Sequence, residues 1–313
     1  MERMITLVLL VLIVGSAHAL PHHGNHHGDP THESRPNSRV TMQIDGETRI
    51  IRSNGIPDHE PGDFPRQGNP NAVSVQSHEF RMPANPVARK EVTPMRGPIG
   101  VALNGVPFDP GTAEWWSSNG RTHDRSSGWN YEALSGHIDL GLDDHHAHVQ
   151  PTGTYHYHGL PTGIIEASPH ARGDALPAAM ILIGYAADGF PIYAEYAHRD
   201  PMDASSPLTK MRSSYALKAG TRPDGATGPG GAYDGTFVQD WTYLKDTGDL
   251  DECNGRFGVT PEYPDGTYYY MATDAFPFLP RCFRGTPDRS FRHGGGGGAS
   301  PPMRPSHRPT RRR

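Results

Sequence analysis

Cysteine is almost missing from this chain of 313 residues: there are two, Cys253 and Cys282, and no Cys-x-x-Cys spacing that would read as a thiolate metal site. Charge is also sparse, at 20% Asp, Glu, Lys and Arg, and few segments keep a helical period over three turns, which argues against a body of long helices. There is no Gly-x-Ser-x-Gly elbow, no His-Glu-x-x-His helix and no Walker glycine loop. Serine-hydrolase, zinc-helix protease and P-loop chemistries therefore have no signature here. The apolar run Ile5 to Val14 is ten residues long, half of the roughly 20 needed to span a bilayer. What the chain has instead is 37 Gly, 31 Pro and 19 His. That composition predicts many short elements joined by turns: a mainly β, loop-rich single globule of short antiparallel strands and hairpins.

The N-terminus has the layout of an export signal. Arg3 supplies a basic start, Ile5 to Val14 the apolar core, Gly15-Ser16 a break, and Ala17-His18-Ala19 a small-x-small cleavage site. Residues 1–19 are thus expected to be removed after Ala19, giving a secreted protein, extracellular or periplasmic. In an oxidising compartment Cys253 and Cys282 are expected to pair, stabilising the fold by roughly 3–4 kcal/mol in the chain-entropy picture. Residues 20–39 carry His22, His23, His26, His27 and His32 with little to bury, so a disordered leader that scavenges metal weakly is expected. Pro21 lacks the N–H that an amino-terminal copper site deprotonates. Residues 288–313 read as a disordered Gly/Pro/Arg tail with seven Arg against one acid, which leaves a net −11 on residues 20–287 within a whole-chain net of −5. Export removes nucleic acid as a partner, so the tail offers solubility or weak contact with anionic surface polymers.

Within the expected body, residues 40–287, strands are predicted at Thr48 to Ile51, Ile99 to Leu103, Met180 to Ala187, Phe190 to Tyr193 and Tyr268 to Met271, punctuated by Asn54-Gly55, Asn104-Gly105, Asp188-Gly189 and Asp265-Gly266. Two units look alike. Ala102 to Phe108 (Ala-Leu-Asn-Gly-Val-Pro-Phe) parallels Ala186 to Ile192 (Ala-Ala-Asp-Gly-Phe-Pro-Ile), and Gly153 to Tyr157 parallels Gly266 to Tyr270. A duplicated β unit would place Tyr269 and Met271 where the first copy has His156 and His158.

The richest stretch is residues 145–158, His-His-Ala-His-Val-Gln-Pro-Thr-Gly-Thr-Tyr-His-Tyr-His. Strand side chains alternate faces, so His156 and His158 point one way, as do His146 and His148. Pro151-Thr152-Gly153 suits a three-residue hairpin loop, with glycine in the left-handed position. If Gln150 pairs with Thr154, His148 lies opposite His156 and His146 opposite His158, their Cβ atoms about 4.5–5.5 Å apart. A loop one residue longer or shorter would oppose His148 to Tyr155 and split the imidazoles between faces. In the first register His146, His148, His156 and His158 form a metal site suited to copper or zinc. Asp143, Asp144, His145, His59 and His137 stand as further ligands, or as acceptors that would fix an imidazole tautomer. Without a metal, the same hairpin simply turns Tyr155 and Tyr157 to the core and its histidines to solvent. His123, His170 and His198 read as surface residues, and Trp115, Trp116, Trp129 and Tyr131 as core aromatics, an exposed binding platform being the alternative.

Tyr155-His156-Tyr157-His158 resembles the motif that names the YHYH domain family of secreted proteins. The likeness extends to Ser53 to His59, Asn104 to Phe108, His148 to Pro151, Asp188 to Pro191 and Thr260 to Gly266, and so across residues 40–287. The resemblance implies that His148, His156 and His158 are the functional centre. It implies no catalytic roles, because the family is defined by sequence. The reading that results is a secreted metal-binding protein. The alternatives are a metal-dependent secreted enzyme on the same site (hydrolase or copper oxidase) and a structural or adhesive cell-surface domain.

Overall fold

The structure, a computed structural model, describes residues 36–120 and 125–292. The expected signal segment, the expected leader as far as residue 35, the tail beyond 292 and His123 lie outside the described residues. Strands dominate, as the composition predicts. β1 (Val40–Asp45), β2 (Thr48–Ser53) and β3 (His78–Pro83) form an antiparallel meander. After a two-residue strand, β4 (Thr93–Pro94), the chain enters the main sheet with β5 (Gly100–Ala102), β6 (Pro107–Phe108), β7 (Ala147–Val149) and β8 (Tyr155–Tyr157). One short helix, α1 (Thr162–Ala167), precedes β9 (Leu182–Ala186) and β10 (Pro191–Tyr193). Two separate pairs follow, β11 (Tyr196–His198) with β12 (Leu208–Lys210) and β13 (Tyr215–Leu217) with β14 (Trp241–Tyr243). The main sheet is completed by β15 (Gly255–Thr260) and β16 (Tyr263–Met271), and β17 (Cys282–Phe283) pairs with β4.

The main sheet runs β15-β16-β10-β9-β5-β6-β8-β7, and its order is symmetric about the middle. β5 and β9 pair antiparallel through Gly100↔Ala186, Val101↔Tyr185 and Ala102↔Gly184. Each then turns back through a tight loop: Ala102 N donates to Val106 O and Ala186 N to Phe190 O, both at 2.9 Å. The returning strands lie parallel to their outer neighbours, Phe108 beside Tyr157 and Ile192 beside Tyr270. β7 and β15 close the two ends antiparallel. The duplicated unit expected from the sequence is therefore present as a twofold axis normal to the sheet between β5 and β9. Gly100 and Gly184 are equivalent across it. A Cβ on Gly100 would sit 2.4 Å from the Tyr185 carbonyl oxygen and one on Gly184 2.3 Å from that of Val101, so neither position admits a side chain without moving backbone.

One face of the sheet packs into the larger core with Tyr155, Tyr157, Tyr268 and Tyr270; Tyr193, Tyr269 and Met271 join a smaller core on the other face. The meander lies against both hairpin tips: Ser53 Oγ donates to Gly105 O at 2.7 Å and Arg49 Nη1 to Gly189 O at 3.4 Å. Cys253 and Cys282 are bridged, tying the turn before β15 to β17. The packed body runs past the expected boundary at Pro287, because Phe291 is buried and stacks on Phe80 at 4.9 Å. Among the described residues no helix is long and apolar enough to cross a membrane.

The two tips differ in one respect with an energetic consequence. Asn104 donates from Nδ2 to Tyr157 Oη at 2.9 Å, whereas its counterpart Asp188 accepts from Tyr270 Oη at 2.6 Å and from Gly285 N at 2.8 Å. Asp188 is fully buried with Oδ1 unpartnered, and burial pushes its carboxyl up to about 6 against those hydrogen bonds. A carboxyl whose folded value is raised binds its proton more tightly folded than unfolded. Its contribution is intact at acid pH and is lost as pH rises through 6. Asp188→Asn is expected to stabilise the protein at pH 7.5 by about 1–3 kcal/mol and to flatten the pH dependence between 4 and 7. Urea unfolding at several pH values checks this; an unchanged or lower midpoint at pH 7.5 contradicts it.

Candidate metal centre

The hairpin that carries the histidines has the three-residue loop. Gln150 N donates to Thr154 O at 2.9 Å, Gly153 N donates to Gln150 O at 2.8 Å, and Gly153 takes a φ of 83°. The register that follows is Ala147↔Tyr157, His148↔His156 and Val149↔Tyr155. Alternation then sends Tyr155 and Tyr157, both fully buried, into the core and leaves His148, His156 and His158 together on the opposite face. Their ring centroids are 4.7, 4.8 and 4.7 Å apart, and one nitrogen from each lies within 4.8 Å of the others. Nε2 of His148 and Nε2 of His158 are 3.1 Å apart. Two nitrogens bound at about 2.0–2.1 Å to one ion, at angles between right and tetrahedral, stand roughly 2.9–3.4 Å apart.

The surroundings prepare the rings for this. His156 and His158 are buried and His148 is half-buried. Burial, helped by the neighbouring His156 and His148, holds His158 well below the ordinary imidazole range; burial also lowers His148, against the raising influence of the Leu140 carbonyl, Glu114 and Asp143. Neutral imidazole is the form that binds metal. The Leu140 carbonyl lies 2.8 Å from His148 Nδ1 and the Thr154 carbonyl 3.3 Å from His156 Nδ1. A carbonyl can only accept, so these two contacts favour a proton on Nδ1 and a lone pair on Nε2; at His148 the Asn69 amide Nδ2, 3.2 Å from the same Nδ1, competes as a donor. On His158, Nδ1 is buried with no oxygen in hydrogen-bond geometry, and the Pro110 carbonyl acts on the ring only as a minor raising influence.

The expected fourth imidazole is not among the three. β7 begins at Ala147, and His146 sits in the preceding turn with a left-handed φ of 55°. Its carbonyl accepts from His158 N at 2.7 Å, so the backbones pair as expected, but its ring donates from Nδ1 to Leu160 O at 2.9 Å. The turn itself is set by Asp143. Oδ1 accepts from His145 N at 3.0 Å and Ala147 N at 3.1 Å, and Oδ2 from Gly62 N at 3.0 Å and Tyr155 Oη at 2.7 Å. Asp143 therefore anchors the hairpin and touches no imidazole of the cluster. Asp144 is exposed, as is His137. His145 bonds Thr162 Oγ1 at 2.5 Å and Glu60 O at 2.9 Å. His59 Nε2 meets Tyr157 Oη at 2.6 Å and its ring centroid lies 4.0 Å from that of His145, which puts both on the tyrosine side of the sheet. None of these five joins the cluster.

The chain matches the family described as YHYH protein over residues 79–285, well over half its length. The chain belongs to the YHYH family. In this YHYH protein the tetrad is a sorting device, two tyrosines for the core and two histidines for the other face. No curated protein and no solved structure matches the chain.

Sequence reasoning overlooked Asn69, whose Nδ2 lies 3.2 Å from His148 Nδ1, and Arg281. Arg281 lowers His158 through its charge and pairs with Glu132, which is buried, at 2.5 Å. More than a hundred residues separate it from the tetrad, and no local pattern marks it. A direct check on the centre's electrostatics is the pH response of the metal-free protein. The side-chain nitrogen shifts of His158 are expected to stay those of a neutral ring from pH 8 to pH 5.5. A His158 that titrates near 6.5 contradicts the burial described.

Proposed function

We propose that this YHYH protein is exported and holds one transition-metal ion, copper or zinc, between His148, His156 and His158. The observation that carries this is the convergence of three imidazoles, two of them buried, with a pair of Nε2 atoms at the spacing of ligands on a common ion. Imidazole suits zinc and copper, and ion binding offsets the cost of burying three polar rings against one another. Export rests on the signal layout of residues 1–19, and the Cys253–Cys282 bridge agrees with an oxidising compartment.

Three ligands rather than four leave a coordination position for water or a substrate, the arrangement that zinc enzymes use, and that feature supports a metal-dependent enzyme as the second reading. Metal binding is preferred because two clefts among the described residues, one along Glu60 to Arg66 with His145 and one along Tyr243 to Glu252 with Arg256, are lined by residues outside the cluster. In both readings these histidines orient the ion, with the Leu140 and Thr154 carbonyls holding two of the rings.

Elemental analysis of protein from the exported fraction, made without a histidine tag, is expected to give one ion per chain. His156→Ala/His158→Ala is expected to abolish it while the disulfide and the circular dichroism spectrum persist; full metal content in that variant refutes the placement. Intact mass is expected to show a mature chain starting at Leu20, and a retained residue 1 would remove the export reading.

A further inference from the structure

The twofold relation of the main sheet extends beyond strand order into the turns. Asp251 is the counterpart of Asp143: Oδ1 accepts from Cys253 N at 2.9 Å and Gly255 N at 3.1 Å, as Asp143 accepts from His145 N and Ala147 N. Asp251 also accepts from Tyr268 Oη at 3.0 Å, as Asp143 does from Tyr155. Asn254 has the left-handed φ of its counterpart His146, 58° against 55°, and its carbonyl accepts from Met271 N at 2.9 Å as that of His146 accepts from His158 N. Arg256↔Tyr269 is the pair equivalent to His148↔His156. His148, His156 and His158 thus correspond to Arg256, Tyr269 and Met271, on the same face of the same sheet.

These three fill the equivalent space. Arg256 Nε donates to Tyr269 Oη at 2.7 Å, and its Nη2 donates to the His198 carbonyl. Tyr269 and Met271 are fully buried among Met180, Tyr193, Met211 and Leu250. We propose that the second half of the sheet keeps the backbone of the metal unit with other side chains at the ligand positions, so that histidine at Arg256, Tyr269 and Met271 opens a latent second metal site. This rests on the reading of His148, His156 and His158 as ligands. The backbone that sets the ligand positions, namely the Asp turn, the left-handed residue and the register, is the same in both halves; beyond those positions β15 and β16 run longer and their register shifts between Gly258 and Thr260. Replacing Arg and Tyr by His also removes volume, which leaves room for the ion.

The test uses the full chain with His22, His23, His26, His27 and His32 changed to Gln, so that the leader contributes no metal. Cobalt(II) is titrated and followed by its visible d–d absorption, with bound metal counted after desalting. The parent is expected to hold one equivalent and Arg256→His/Tyr269→His/Met271→His two; in a His156→Ala/His158→Ala background the triple variant is expected to hold one. A parent that holds one while the triple variant, with native circular dichroism and an intact disulfide, also holds one overturns the proposal. A parent that holds none while the triple variant holds one removes the metal from the first cluster but supports the latent site. If neither binds, both readings fall. Should the triple variant fail to fold, Arg256→His/Tyr269→His keeps Met271, whose thioether is a copper(I) ligand, and copper(I) titration gives the same outcomes.

Discussion

The placement of the histidines depends on one buried carboxylate. Asp143 receives four donors, three from backbone amides and one from the Tyr155 phenol. A buried charge is tolerable only when its lone pairs are met, and here the donors that meet them are the amides that open β7 and the phenol that begins β8. The carboxylate therefore does more than cap a turn. It fixes where β7 starts, and with it the register against β8. A shift of one residue would exchange the faces of the imidazoles and the phenols. Chemistry on one face is in this sense held by a salt-free polar knot on the other.

Much of this was legible in the sequence, and the reasons are local. The three-residue loop at Pro151-Thr152-Gly153 follows from a proline and a left-handed glycine, and the opposition of His148 and His156 follows from the loop. The duplicated unit could be read from Ala102 to Phe108 against Ala186 to Ile192 because turn residues tolerate few substitutes. What the sequence did not disclose was nonlocal or conformational. His146 leaves the cluster because the Asp143 turn needs a left-handed residue, a backbone demand that alternation rules ignore. His59 and His145 come together over Tyr157 through contacts spanning about a hundred residues of chain. Arg281 reaches His158 from the far end of the domain by a path no pattern encodes.

The two halves of the sheet show how one backbone supports two solutions to the same packing problem. Where the first half gathers imidazoles, the second places Tyr269 and Met271 in a small apolar core. Where the first half holds its Asp turn with His145 bonded to Thr162 and Glu60, the second uses Cys253 at that position and a covalent link to β17. The second half is thus held by apolar packing and a disulfide.

The ordering of strands also sets how far apart the two equivalent positions lie. Between the midline of β7 and β8 and that of β15 and β16 there are six strand spacings. At about 4.8 Å each this amounts to roughly 29 Å, less whatever the sheet's twist removes. Ionic screening at physiological salt extends about 8 Å. Even before screening, a dication at one rim and a unit charge at the other interact by only about 1 kcal/mol at an effective dielectric of about 20, so each position has little influence on the other.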